Sequence, residues 1–219
     1  MKHKEEELVD LKNELIEMWR LVISQMEKAR YAFVMKDEEI AREVISREKR
    51  VDAFELKIDC DCENYIAIYA PVAIDLRLVL SMLKITNTIE RIADYAEGIA
   101  RDVLDKSYQG MSDDMIEKLQ IERMFEVVIS MLTDSFVSFE TENSHVYGKI
   151  LVKDDELDSI YKASFDIISE NFQQTKQALN FILLVKKLER IGDHCSNIVE
   201  DIVFYLDAKV LKHNEAELL

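Results

Sequence analysis

The segment Glu90-Arg-Ile-Ala-Asp94 returns as Glu189-Arg-Ile-Gly-Asp193, with four identical residues at a spacing of 99 positions. When residues 90–104 are aligned with residues 189–203, the two copies share six identities and need no gap. Both copies have helical periodicity, and solenoid repeats usually have shorter periods than this one. The repeat therefore predicts two copies of one small helical domain.

The composition favours long helices joined by few turns. Hydrophobic residues make up 48% of the 219 residues and charged residues 33%, which is typical of a globular protein, and there are only four glycines and one proline. The formal net charge is −16. Such a charge repels phosphate backbones, and no cluster of Lys or Arg offsets it locally, so nucleic-acid binding is not expected.

The location of the chain is predicted from its lack of apolar segments. The N-terminal stretch MKHKEEELVD does not contain the apolar core of a signal peptide. The longest uninterrupted apolar run, Phe181–Val185, is far too short to cross a bilayer. We therefore expect a cytoplasmic chain.

Apolar residues at intervals of three and four predict three helices in the first half of the chain. One stripe runs from Leu8 to Phe33, and a second helix follows from about residue 38 to 69, capped by Asp37. Proline is tolerated only in the first turn of a helix, so a third helix is expected to begin at Pro71 and to end near residue 106.

The same pattern restarts after residues 107–114, which contain a glycine and capping residues and mark the best domain boundary. The three further helices are expected at about 113–139, 145–171 and 175–208. The sequence thus predicts an all-α fold of six long antiparallel helices, arranged as two tandem three-helix bundles. The predicted domains are residues 1–108 and 109–219.

Each repeat contains two pairs of acids whose members are four residues apart and so share a helix face. The pairs are Glu48 with Asp52, Glu90 with Asp94, Asp154 with Asp158, and Glu189 with Asp193. In an antiparallel hairpin, residues equidistant from the turn face each other. The two pairs of the first repeat have their common midpoint at residue 71, the proline, and those of the second between residues 173 and 174.

At this distance from the turn, about 30 Å along each helix, the register predicts that four carboxylates converge in each repeat. Such groups must be protonated, paired with bases or bridged by cations, and an all-oxygen ligand set suits Mg²⁺, Mn²⁺ or oxidised iron. Arg91 and Arg190 point about 100° away from the adjacent Glu, so we do not expect them to neutralise the clusters. The alternative is a solvated acidic face, but the duplication and the equidistance favour an ion site.

His194 lies beside Asp193, but its counterpart in the first repeat is Tyr95, which favours a surface or packing role over metal ligation. Four other polar residues lie one or two turns further along and are left as unranked candidates for peripheral ligands. They are Glu97, Asn197, Glu200 and Asp201.

Three segments resemble the PhoU family of phosphate-uptake regulators, and the resemblance covers nearly the whole chain. They are Pro71-Val-Ala-Ile-Asp-Leu-Arg77, Glu90-Arg-Ile-Ala-Asp94, and Glu189-Arg-Ile-Gly-Asp193-His with Asn197-Ile198. The resemblance implies E(D)xxxD metal motifs, often with iron or zinc clusters, at all eight acids of the four pairs. Manganese or magnesium suits the same carboxylates. The second repeat departs from the pattern, because Gln174-Thr-Lys176 stands in the place of Asp75-Leu-Arg77.

The resemblance also implies a non-enzymatic adaptor. Such a protein couples the ATPase of the phosphate ABC transporter to a sensor histidine kinase, is peripheral to the membrane, and keeps the phosphate-starvation response off. The sequence contains no Gly-rich phosphate loop, nucleophile–base pairing or Gly-x-Ser-x-Gly segment, so no catalysis is expected.

Two alternatives are a carboxylate-bridged metal oxidase and a metal-storage or metal-free helical bundle. The oxidase fold needs Glu-x-x-His on two helices, whereas residue 191, three before His194, is Ile. The sequence leaves open whether the chain forms a homodimer.

Overall fold

Helices account for almost all of residues 2–108, 112–171 and 175–211, which are the residues that this computed structural model describes. They are α1 (Lys2–Met35), α2 (Glu38–Tyr69), α3 (Ala73–Leu104), α4 (Asp113–Lys118), α5 (Ile121–Thr141), a short 3-10 helix (Ser144–Val146), α6 (Tyr147–Asn171) and α7 (Thr175–Asp207). The predicted all-α fold is confirmed. Within the described residues, no helix carries an apolar stretch long enough to cross a bilayer.

The helices form two three-helix bundles, as the repeat predicts. α1, α2 and α3 pack together, and so do α5, α6 and α7. The bundles meet where α3 packs on α7 and α1 on α5, so one continuous core runs through both. Trp19 of α1 is fully buried at this junction, with its ring 5.9 Å from that of Phe136 and 5.7 Å from that of Phe139 on α5. Because the core is shared, a division into domains between residues 108 and 109 stays a prediction.

The start and end of α2 follow from local chemistry. Asp37 caps the helix, since its side chain accepts hydrogen bonds from the backbone N–H groups of Glu39 (2.9 Å) and Ile40 (3.1 Å). Two acids in the first turn interact favourably with the positive end of the helix dipole and so stabilise the helix. At the other end Ala70 adopts a left-handed conformation with φ 41°, which stops the helix. The turn into α3 therefore lies at residues 70–72.

Two predicted helix starts are wrong by two residues. α3 begins at Ala73 and not at Pro71, because Val72 is extended (φ −131°, ψ 162°) and Pro71 belongs to the connection. α6 begins at Tyr147 and not at residue 145, because Asn143 accepts a hydrogen bond from the N–H of His145 and starts a 3-10 turn. The predicted turn between residues 173 and 174 lies outside the described residues.

The single helix predicted over residues 113–139 is divided into α4 and α5, which is a larger correction. Leu119 and Ile121 are both buried, at 1% and 0% exposure, and residues two apart cannot lie on the same face of one helix. The chain buries both by breaking at Gln120, which has φ 51°.

Candidate functional site

The first hairpin brings four of the predicted acids together. The pKa of the Glu48 carboxyl is raised to about 7, first by burial and then by the charges of Asp94, Glu97, Asp52 and Glu90. Glu48 and Asp52 of α2 are thus the electrostatic neighbours of Glu90 and Asp94 of α3. This is the register that a turn centred on residue 71 requires.

Glu48 lacks any hydrogen-bond partner in the described part of the chain. Both of its carboxylate oxygens are buried and accept no hydrogen bond there. An ionised carboxylate without a donor or a counter-ion is strongly disfavoured away from water. Glu48 must therefore either take up a proton or share a cation with its acidic neighbours.

The acids on α3 experience the same repulsion. The pKa of Glu90 is raised to about 7 by burial, then by Asp94, Glu55 and Asp52, with Arg91 acting in the opposite direction. The pKa of Asp94 is also raised, by burial and then by Glu97 and Asp52. The cluster therefore resists carrying its full negative charge at neutral pH.

The structure adds to this cluster a residue that was not predicted from the sequence, Glu55. Glu55 lies seven residues after Glu48, two helical turns along the same face, and its side chain accepts a hydrogen bond of 3.3 Å from Asn87. Residues 55 and 87 also have their midpoint at residue 71, so the hairpin register contained the signal. Glu97, a predicted peripheral candidate, acts on the cluster and accepts a hydrogen bond of 2.6 Å from Arg101.

In the second repeat, the predicted acids Asp158, Glu189 and Asp193 are paired with bases. Lys186 donates to both carboxylate oxygens of Glu189, at 2.6 and 2.7 Å. Lys162 donates to Asp158 at 2.8 Å, and Arg190 to Asp193 at 2.8 Å. The expectation that Arg190 would not neutralise the cluster is wrong, since its long side chain reaches Asp193 three residues along the same helix.

Sequence differences between the repeats explain this asymmetry. Lys186 occupies the position 99 residues after Asn87, and Lys162 stands four residues after Asp158, where the first repeat has Leu56 four residues after Asp52. The fourth acid, Asp154, lies against Gly192, with Oδ1 3.1 Å from the position that a Cβ at residue 192 would occupy. The negative charges of the predicted acids are therefore largely neutralised by basic side chains in the second repeat, and those in the first repeat are not.

Among the residues that the structure describes, no group of three or more His, Cys, Asp or Glu side chains is arranged closely enough to hold a metal ion. Mutual repulsion keeps uncompensated carboxylates apart, so a shared ion would require rotamer changes in Glu48 and its neighbours. The predicted ligand set therefore stays a prediction.

The residues of the first hairpin nevertheless fit a cation. The two buried oxygens of Glu48 have no donor among the residues that the structure describes, and the charges that raise its pKa are carboxylates. Carboxylate oxygens are the ligands that hard divalent and trivalent ions prefer, and iron and zinc also accept them. Glu48, Asp52, Glu90 and Asp94 are the side chains that would hold such an ion.

Comparison with known proteins shows the family. The family model described as "PhoU domain" matches residues 15–103 and 121–202. The chain belongs to the PhoU family. The PhoU homolog of Clostridium acetobutylicum, a phosphate-specific transport system accessory protein, is 30% identical over 216 residues, which are 96% of this chain and 97% of the relative. The PhoU homolog 1 of Thermotoga maritima is 28% identical over 214 residues, 96% of this chain and 91% of the relative.

Two solved PhoU structures have the same fold. The phosphate transport system regulatory protein PhoU from Streptococcus pneumoniae has a TM-score of 0.85 at 25% identity and covers 95% of this chain and 99% of its own. PhoU from Pseudomonas aeruginosa has a TM-score of 0.86 at 27% identity and covers 94% of this chain and 99% of its own. The arrangement of two tandem bundles is therefore the PhoU fold.

His194 lies at the interface between the two PhoU repeats. Its ring packs on Tyr95, with centroids 5.8 Å apart, and burial and the nearby Arg91 lower its pKa. Both rings line a shallow cavity of about 560 Å³ together with Arg91, Asp94 and Arg190. Tyr95 and His194 are repeat counterparts, as are Arg91 and Arg190, so α3 and α7 cross with approximate two-fold symmetry.

Two of the repeat identities, Asp102 and Asp201, hold the repeats together. Lys187 of α7 donates to Asp102 at 2.6 Å, and Lys84 of α3 donates to Asp201 at 2.9 Å. Tyr108 also donates to Asp102, at 2.7 Å. Asp201 was a candidate for a peripheral ligand, but the structure gives it this inter-repeat ion pair.

Proposed function

We propose that this chain is a non-enzymatic negative regulator of phosphate uptake and phosphate-starvation signalling. It acts as an adaptor between the ATPase of a phosphate ABC transporter and a sensor histidine kinase, on the cytoplasmic side of the membrane. The observation that carries the proposal is the match, over 96% of the chain, to relatives that are named accessory proteins of phosphate transport. The regulatory protein from Streptococcus pneumoniae with the same fold supports it.

An adaptor regulates a kinase only by binding one of its states more tightly than the other. Each tenfold shift in the population of the two states requires about 1.4 kcal/mol of difference in binding free energy. The chain would favour the phosphatase-competent state of the kinase when phosphate is plentiful. A homodimer, if formed, would present two copies of each contact surface to the complex.

The proposal includes metal ions in the acid clusters, iron or zinc first and manganese or magnesium according to supply. A bound cation would offset the negative charges of Asp94, Glu97, Asp52 and Glu90 that raise the pKa of Glu48. The ligands of the second site would be Asp154, Asp158, Glu189 and Asp193. There the ion has to displace Lys162, Lys186 and Arg190 from their carboxylates. We therefore expect tighter binding in the first repeat.

Deletion of the gene tests the regulatory role. A phosphate-starvation reporter should switch on in phosphate-rich medium in the deletion strain and return to repression when the wild-type gene is supplied. A tagged chain should recover the transporter ATPase and the kinase from crosslinked cells. A reporter that stays off, together with pull-downs that contain neither partner, would refute the proposal.

A further inference from the structure

A groove on the α1–α2 face of the first bundle is the strongest feature that the acid clusters do not explain. It has a volume of about 520 Å³ and is lined by the acids Glu7, Asp10, Glu14 and Asp61 and by Tyr65 and Ile68, among others. We call it the acidic groove. Its volume is in the range of sites for organic groups and is far larger than one metal ion requires.

The charge of the acidic groove is only partly compensated. Lys57 contacts the carboxylates of Glu14 and Asp61, the latter at 2.7 Å. Lys57 neutralises about one of the four acids, and His3 lies 3.4 Å from Glu7. The whole chain has a net charge of −16, which adds to the local negative potential. The groove therefore attracts a cationic group.

Two residues that line the groove carry a polar atom without a partner among the described residues. Tyr65 is only 2% exposed, and its hydroxyl is buried without a hydrogen bond. Oxygen Oε2 of Glu14 is buried without one as well. A buried polar atom without a partner destabilises the fold by about 1–3 kcal/mol. An ammonium or guanidinium group has several N–H donors, which are the kind of partner that these oxygens lack.

One side of the groove is apolar. Ile68 is 69% exposed at its edge, and Val72 and Ile74, at the end of the same hairpin, are 70% and 50% exposed. A bare cation gains nothing from exposed aliphatic side chains. A helical or extended segment that carries basic residues on one face and aliphatic residues beside that face would bury these exposed aliphatic side chains.

Ion pairs compensate some of the acids on the α5–α6 face of the second bundle. There Lys149 and Lys153 both pair with Asp134, at 2.9 and 2.5 Å, and Arg123 pairs with Glu156 at 2.6 Å. These three bases thus compensate Asp134 and Glu156.

We propose that the acidic groove binds a basic amphipathic segment of a partner protein. Lys or Arg side chains of the segment contact Glu7, Asp10 and Asp61 and donate to Glu14 and Tyr65, while its aliphatic residues cover Ile68. The inference rests on the proposed adaptor function and deepens it, because it names the surface through which one partner is held and the chemistry of the segment.

The test uses the full-length chain and a fluorescein-labelled peptide of about 18 residues, five helical turns, with Lys and Arg on one face and Leu on the other. A shuffled peptide of equal composition is the control. The groove variant combines Glu7→Gln, Asp10→Asn and Asp61→Asn. The matched control variant combines Asp155→Asn, Asp166→Asn and Glu170→Gln on α6, and it loses the same three charges from exposed positions.

Fluorescence anisotropy should show saturable binding of the amphipathic peptide, weaker at higher salt and weaker for the shuffled peptide. The groove variant should bind about tenfold more weakly, since each exposed ion pair contributes about 0.2–1 kcal/mol, and the α6 variant should bind within about twofold of wild type. No saturable binding, or an equal loss in both variants, overturns the inference. The inference is also overturned if the groove binds Mg²⁺ alone and only the groove variant loses that binding. It is likewise overturned if the wild-type chain sediments as a dimer and only the groove variant does not.

Reporter strains separate this inference from the proposed function. If the deletion strain switches on the phosphate-starvation reporter and the groove variant restores full repression, the adaptor function stands and the groove inference fails. If the deletion leaves the reporter off, the proposed function itself fails. Partial repression by the groove variant, with full repression by the α6 variant, supports both.

Discussion

The carboxyl group of Glu48 is buried and receives no hydrogen bond from the described residues. Its pKa rises from an ordinary carboxyl value to about 7, and Glu90 behaves in the same way. A carboxyl whose pKa is higher in the folded state than in the unfolded state binds its proton more tightly when folded. The resulting loss of stability is absent below about pH 4.5, grows as the pH rises, and is complete above about pH 7.

The metal-free protein should therefore become less stable between about pH 5 and pH 8. Glu48→Gln should flatten this decline and raise the free energy of unfolding at pH 8 by about 1–2 kcal/mol, a figure already reduced for solvent screening of a half-buried group. Urea unfolding in the presence of a chelator measures both effects. Glu6→Gln, at an exposed position of α1, is the control. A Glu48→Gln protein that is less stable than wild type at pH 8 would contradict this explanation.

At the scale of elements, the two hairpins should differ in metal affinity because Lys162, Lys186 and Arg190 pair with the predicted ligands of the second hairpin. Asp94→Asn should remove most of the bound iron, zinc or manganese, whereas Asp193→Asn should remove less. Elemental analysis after gentle purification measures the metal per chain. Equal losses in the two variants would show that the lysines of the second repeat do not compete with the metal.

The inter-repeat ion pair between α3 and α7 also has a measurable contribution. Lys187→Met leaves the partly buried Asp102 without its cation and should lower the free energy of unfolding by about 1–3 kcal/mol. The control is Lys162→Met, whose partner Asp158 is exposed, and it should change stability by less than about 1 kcal/mol. Urea unfolding of both variants makes the comparison. Similar effects from the two would mean that the α3–α7 contact does not depend on this pair.

The helix boundaries were predictable where a single stripe of apolar residues determines the helix. They were less predictable where two packing requirements have to be met at once. Asp37 caps α2 as expected because capping is local chemistry. The break at Gln120 was missed because it depends on burying Leu119 and Ile121 at the same time, and only the packed bundle enforces that. The start of α3 was misplaced because Pro71 is compatible with either a helix or the connection before it.

The candidate site was predictable to the same extent. The hairpin register follows from residue numbers and places Glu48, Asp52, Glu90 and Asp94 together. The pairing of Glu189 with Lys186 did not follow, because it depends on which rotamers bring an acid and a base on one helix into contact. Glu55 was missed although the same register would have found it.

At the scale of the whole molecule, the shared core predicts that the two bundles unfold together. Trp19 is the only tryptophan and is fully buried between α1 and α5, so its fluorescence reports the junction. Fluorescence and far-UV circular dichroism should show one urea transition with the same midpoint. Trp19→Ala should lower the free energy of unfolding by about 3–5 kcal/mol. Two separated transitions in the wild-type protein would instead indicate independent domains.

Anomalous scattering from a crystal of the metal-loaded protein tests most directly whether the first acid cluster is a cation site. Data on either side of the absorption edge of iron or zinc should place a peak between α2 and α3, within ligand distance of the carboxylates of Glu48 and Asp94, about 2.0–2.2 Å for zinc. A weaker peak or none is expected at Glu189 and Asp193. A metal-loaded crystal whose anomalous peaks all lie away from α2 and α3 would contradict the assignment.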